Sequence, residues 1–204
     1  MFDLEKVKNL LKTGPNTAYF WSGLGEEGAT IAENIAKKND GTTLEMIMKK
    51  YKQELVDAGF PYDSEYDRFI WDDADSLNKK AWSDISEAYA SQTSGNVRVV
   101  LGDQVRETSV WINSEMPRLL READVSSING IPRNELSSLY NELGNNPTLK
   151  IHFSNAIRSA DINNTNANFL DSIIVGLDAD GKITNIEISI IFIVSVDLSG
   201  QLKK

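Results

Sequence analysis

Cysteine is absent from this 204-residue chain, and histidine occurs once. The first absence excludes disulfides, thiol nucleophiles and cysteine-ligated zinc. The second excludes acid–base catalysis by a histidine pair. Any Ser-His-Asp triad would have to be built on His152, in the β-like run Leu149–Phe153. Positive charge is scarce: 21 Lys and Arg stand against 30 Asp and Glu, a formal net charge of −9. Such a surface repels phosphate backbones, so no nucleic-acid partner is expected, although a local pocket can still take a small anion. Long apolar runs are missing too. The longest, Ile188–Val196, falls far short of a membrane span, and no basic start followed by an apolar core opens the chain. No internal repeat or low-complexity segment is present. What remains for chemistry is carboxylates and aromatic rings.

The length suits one domain, or one domain with two lobes, and the 41% hydrophobic and 25% charged content is that of an ordinary globular protein. The periodicity predicts an α+β chain with a helical first half and a β-richer second half. Residues 2–12 read as an amphipathic helix, and a short helix follows around Ile31 to Ala36. Thr42 to Gly59 reads as the best helix of the first half, with Leu44, Ile47, Met48, Tyr51 and Leu55 at helical spacing and Gly59 as its cap. A further helix spans Leu77–Ser91. Val97–Leu101 is a β-rich run, Ser109–Glu115 a short β-type run closed by Pro117, and Val125–Ile131 another strand. Beyond Pro132 the chain offers a helix at Asn134–Leu143. A strand at Leu149–Phe153 and a hairpin of Ile173–Leu177 with Ile183–Val196 around Asp178-Ala179-Asp180-Gly181 complete it. That turn lacks the ligand series of a calcium loop, and no metal site is expected.

Gly23-Leu24-Gly25-Glu26-Glu27-Gly28 has GxGxxG spacing. Two acidic residues inside it, and no clear long strand before it, argue against a dinucleotide phosphate loop. All four tryptophans precede residue 112, so the site is sought in that part of the chain.

Five motifs in one order carry a resemblance. They are Phe20-Trp21-Ser22, Thr43-Leu44-Glu45, Trp82 opening Trp82-Ser83-Asp84-Ile85-Ser86, Val97–Gly102, and Ser109 to Glu115. Together, over roughly residues 18–131, they resemble the ADP-ribosyl cyclase/NAD glycohydrolase family. More narrowly, they look like its bacterial members at the cytotoxic ends of polymorphic and contact-dependent toxins. The resemblance implies an ADP-ribosyl-cyclase-like fold in a single two-lobed catalytic domain, mainly helical over 1–96 and mainly β over 97–204. The hairpin 169–196 matches nothing in the family, whose secreted animal members also carry disulfides that this chain cannot form.

The same resemblance implies the roles. Trp21 and Trp82 line the pocket and stack on nicotinamide. Glu45 sits near the carboxamide and biases cyclisation against hydrolysis, and Glu115 is catalytic. A further family acid falls on Glu54, which would face away from Glu45 on an unbroken helix. Ser109 and Trp111 are added as substrate-binding candidates.

Each has a plainer reading. Glu115 alone would be a solvated loop acid, and Thr42-x-x-Glu45 is a capping box. Trp82 and Trp111 would be core, and Ser109 an ordinary strand residue. The chemistry asks for little beyond these groups. Nicotinamide is already a cationic leaving group, so what needs stabilising is an oxocarbenium-like ribose. A carboxylate near the anomeric carbon does that, while aromatic faces attract the pyridinium.

The expectation is therefore an NAD glycohydrolase releasing nicotinamide and ADP-ribose. Cyclisation is a second outcome, NAD or NADP the substrate, and no cofactor is required. Its implied biology is NAD depletion in the cytoplasm of a target bacterium, after delivery as the C-terminal part of a larger toxin, with a cognate immunity protein as partner. The competing reading is a non-catalytic acidic binding module, such as an immunity or adaptor protein, offering its Ile-rich hairpin for strand addition.

Overall fold

Ala18–Ser22 (β1) is apolar on both faces, with Ala18, Tyr19 and Phe20 all buried, the signature of a strand covered on both sides. In the computed structural model it lies inside a five-stranded sheet. The structure describes residues 1–72 and 74–159, together with the backbone of two later strands at 170–177 and 183–191.

In chain order, β1 is followed by α1 (Gly28–Lys38), β2 (Thr42–Thr43), α2 (Leu44–Lys50) and α3 (Lys52–Asp57). A two-stranded ribbon, β3 (Tyr62–Asp63) and β4 (Arg68–Phe69), leads into α4 (Ser76–Ala90) and β5 (Gly95–Leu101). Then come α5 (Met116–Arg121), β6 (Val125–Ile128), β7 (Ile131–Pro132), α6 (Arg133–Glu142) and α7 (Pro147–Ser159). The separate hairpin is β8 (Leu170–Leu177) with β9 (Ile183–Ile191). The chain is thus mixed α/β, with seven α-helices among the described residues. No helix among them is long and apolar enough to cross a membrane.

The sheet order is β2-β1-β5-β6-β7, parallel except for β7. Trp21 pairs with Val100 and Ser22 with Leu101, so β1 and β5 end together at one carboxyl edge. The sheet draws strands from both halves of the chain, and the expected boundary at 96/97 falls inside β5. One face carries Tyr19 and Val100 against Ala36 of α1. The other carries Phe20, Val97, Val99 and Leu101, packed with α4, α5, α7 and the start of the chain.

Several local expectations change. Residues 2–12 form two short 3₁₀ turns, Leu4–Lys6 and Lys8–Leu11, rather than one helix. The helix over 42–59 starts later and breaks at Tyr51, giving α2 and α3, with Gly59 just past the end. Val125–Ile131 is two strands around Asn129-Gly130, both at positive φ (50° and 82°). That is the two-residue turn whose backbone twist suits a hairpin, and Asn-Gly was its signal. Leu149–Phe153 is helical: Phe153, Ala156 and Ile157 recur on the buried face of α7, and His152 sits within that helix. The turn 178–182 and residues 192–196 of the expected hairpin lie outside the described residues.

The run Ser109–Glu115 is also helical. Ser109 Oγ accepts from the Ile112 amide (3.3 Å), and Trp111–Glu115 forms a single π-helical turn that continues directly into α5. Val110, Trp111 and Ile112 have β propensity, but Trp111, Ile112, Met116, Leu119 and Leu120 all bury on one side. Burial at helical spacing overrides propensity here.

Candidate functional site

The carboxyl edge of a parallel sheet is where open α/β folds place ligands. Trp21 stands at this edge at the end of β1, and Glu45 stands there in the first turn of α2, directly after β2. Trp21 Nε1 donates to Glu45 Oε1 at 2.8 Å. The helix cap is made by Thr43, whose Oγ1 accepts from the Met46 amide at 3.3 Å. The expected Thr42–Glu45 capping box therefore does not form, and the Glu45 carboxyl is turned to Trp21. Its second oxygen, Oε2, is shut off from solvent and has no hydrogen-bond partner among the described residues. Burial raises the Glu45 pKa above the ordinary carboxylate value, against the bonds from its own amide, Trp21 and Thr43 and the charge of Lys49.

Glu115 closes the π-helical turn and is only 8% exposed. Burial pushes its carboxyl up to about 8, the charge of Glu45 adds to that, and a hydrogen bond from Ser86 opposes it. Glu115 therefore holds its proton at neutral pH, and burial works against the charge of both carboxyls. Carboxyls whose pKa values are raised by burial and by a neighbouring charge are common at catalytic sites.

Tyr89 completes the group. Fully buried on α4, it donates to the Thr42 carbonyl at 2.7 Å and to that of Tyr19 at 3.4 Å, tying the helix to β2 and β1. Its own pKa is driven well up by burial first, then by the charges of Glu45 and Glu115.

Trp21, Glu45 and Glu115 thus come together from three distant parts of the chain. Trp82 lies on α4, one turn before Ser86 and so on the same side of the helix. Its ring sits edge-on to Phe60 (5.1 Å) and Trp71 (5.7 Å), and its Nε1 donates to the Ile70 carbonyl at 2.6 Å.

Two expected contributors are elsewhere. Trp111 is 1% exposed and donates to Ser154 Oγ at 2.9 Å, so it is core between the π turn and α7. Ser109 Oγ caps the start of the turn that carries Glu115. Glu54, on α3, is exposed.

Gly28, the last glycine of the GxGxxG run, matters for the site through its contact with Trp21. A Cβ there would stand 2.2 Å from Trp21 Cζ3, so only glycine lets α1 start against that ring. The GxGxxG run does follow a strand and open a helix, which removes one objection to a phosphate loop. The other stands: Glu26 and Glu27 are exposed beside the helix start, where they would repel a phosphate. Ser83, Ser86, Ser114 and Tyr89 were also missed. Their only sequence signal is proximity: Ser86 lies four residues after Trp82, and Ser114 adjoins Glu115. Among the described residues, no group of three His, Cys, Asp or Glu side chains is arranged to hold a metal ion.

The chain matches no protein-family model, no curated protein and no solved structure. The functional reading therefore rests on its own residues.

Proposed function

We propose that the protein is an NAD glycohydrolase, built on an ADP-ribosyl-cyclase-like arrangement, which cleaves the nicotinamide–ribose bond to give nicotinamide and ADP-ribose. The observation that carries this reading is the cluster of buried Glu115 with half-buried Glu45 and Trp21 at the carboxyl edge of the sheet.

In this reading the pyridinium ring binds beside Trp21, with Trp82 as the second aromatic wall. A positive ring entering a site with two carboxyls relieves their mutual repulsion and promotes ionisation of Glu115. As the C–N bond breaks, its electron pair leaves with neutral nicotinamide, and positive charge moves onto the ribose. Ionised Glu115 stabilises that charge in a water-poor setting, where electrostatic interactions are strongest. Water then attacks the anomeric carbon and loses a proton, while attack by adenine would give the cyclic product. In this reading Glu45, held by Trp21 Nε1, orients the carboxamide and biases that choice. NAD depletion of a target cell, and an immunity protein that blocks the site, follow as the biological side of the proposal.

The test is incubation of purified protein with NAD and separation of nicotinamide, ADP-ribose and cyclic ADP-ribose. Stoichiometric nicotinamide release is expected. A folded protein that releases none would overturn the reading.

A further inference from the structure

We propose that Ser83 and Ser86 of α4 form a two-point latch on the π-helical turn Trp111–Glu115, and that this latch positions Glu115. The inference rests on reading Glu115 as the working carboxylate.

Ser83 Oγ lies 2.6 Å from Ser114 Oγ, and Ser86, one turn further along α4, stands within reach of the Glu115 carboxyl and favours its ionised form. Two consecutive residues of the turn are thus held by two residues one helical turn apart on α4. Ser86 is 3% exposed, and Ser114 is 7% exposed. Water therefore does not easily replace either contact.

A π-helical turn needs such a partner. Such turns are rare, occur mostly as single turns within α-helices, and are frequent at functional sites. The stripe continues to Tyr89, three residues beyond Ser86, whose hydroxyl holds the Thr42 carbonyl just before Glu45. Helix α4 therefore grips the Glu115 turn with Ser83 and Ser86 and the approach to Glu45 with Tyr89, so one rigid element sets the spacing of the two carboxyls. The titratable groups that face Glu115 are Glu45 and Tyr89. The nearby arginines of α5 are turned elsewhere, Arg118 to Glu122 (2.5 Å) and Arg121 to Glu87 (3.8 Å).

The experiment is a double-mutant cycle of Ser83→Ala and Ser114→Ala, combined with Ser86→Ala, read by NAD cleavage and by urea unfolding across pH. Each single change at 83 or 114 should lower kcat about five- to tenfold with KM unchanged, the scale of one buried hydrogen bond. The double variant should be no worse than the poorer single. Ser86→Ala removes a donor that favours ionised Glu115, so the midpoint of the kcat/KM pH profile should rise by about one pH unit. Ser86→Cys, which keeps the volume but is a weak donor, should shift it likewise and guards against misfolding of the alanine variant.

Additive losses at 83 and 114, or an unmoved midpoint in both Ser86 variants, would overturn the latch. Unfolding separates this from the functional reading. If the wild type does not cleave NAD, yet the 83–114 coupling and the Ser86 shift appear in the unfolding data, the latch stands and the glycohydrolase reading fails.

Discussion

Changing Glu115 to Gln removes the one group whose ionisation the fold opposes most plainly, so it should separate stability from activity. In the folded protein this carboxyl titrates at about 8 instead of its ordinary 4.5. Between those values the folded state keeps a proton that the unfolded chain has released, so stability must fall as pH rises. The contribution is fully present below about 4.5 and is lost as pH climbs through about 8. At about 1.4 kcal/mol per pH unit, the whole span is worth roughly 5 kcal/mol, of which about 3–4 lies between pH 5 and 8. Gln has the shape of the protonated acid, and its carbonyl can accept the Ser86 hydroxyl, so the variant avoids this loss. Glu45 titrates in both proteins, and to first order its contribution cancels. Urea unfolding followed by tryptophan fluorescence at pH 5 and pH 8 measures the difference directly. Glu115→Gln should match the wild type at pH 5 to within about 1 kcal/mol and exceed it by about 3–4 kcal/mol at pH 8. The same variant should lose at least about two orders of magnitude of NAD cleavage, the scale seen when a key electrostatic group is removed. A stability difference that does not change with pH would refute the buried-carboxyl argument. Full activity in a folded Glu115→Gln protein would refute the catalytic one.

Three further outcomes follow from the same geometry. In the proposed mechanism the ionised form of Glu115 is the active one, so kcat/KM for NAD should rise about tenfold per pH unit and level off above about 8; a profile that falls over this range would assign Glu115 the opposite role of proton donor. Gly28→Ala drives a methyl into the Trp21 ring, which must move and drag the Glu45 hydrogen bond with it, so steady-state assays should show activity down about tenfold and unfolding a cost of about 1–3 kcal/mol. Trp111→Phe should cost about 1–3 kcal/mol through the lost bond to Ser154 and a small cavity, while kcat/KM per folded molecule stays within about twofold. A large activity loss there, without a stability loss, would return Trp111 to the pocket.

Much of the fold was legible because periodic burial writes itself into sequence. The helices α1, α4 and α6 and the strand β5 lie close to where spacing put them, since each has one long apolar face and a clear start or stop. The elements that changed are those whose signals compete. Ser109–Glu115 has strand-like side chains but helix-like spacing, and Leu149–Phe153 shows five residues of what is really a longer helical period. In the hairpin at 125–132, a two-residue turn separates strands too short to register alone.

The sequence by itself determined the chemical vocabulary. With no cysteine and one histidine, any catalytic site here would draw mainly on carboxylates and aromatic rings, and Trp21, Glu45 and Glu115 stand out as candidates. Only the tertiary structure decided how they combine. Parallel pairing of β1 with β2 and β5 brings Trp21 to Glu45, and α4 brings the turn carrying Glu115 into electrostatic reach of both. It also decided that Trp111 is core and that Ser109 is a cap. The reason is physical: burial and charge–charge repulsion depend on what lies nearby in space, and residues 21, 45 and 115 become neighbours only when the sheet forms.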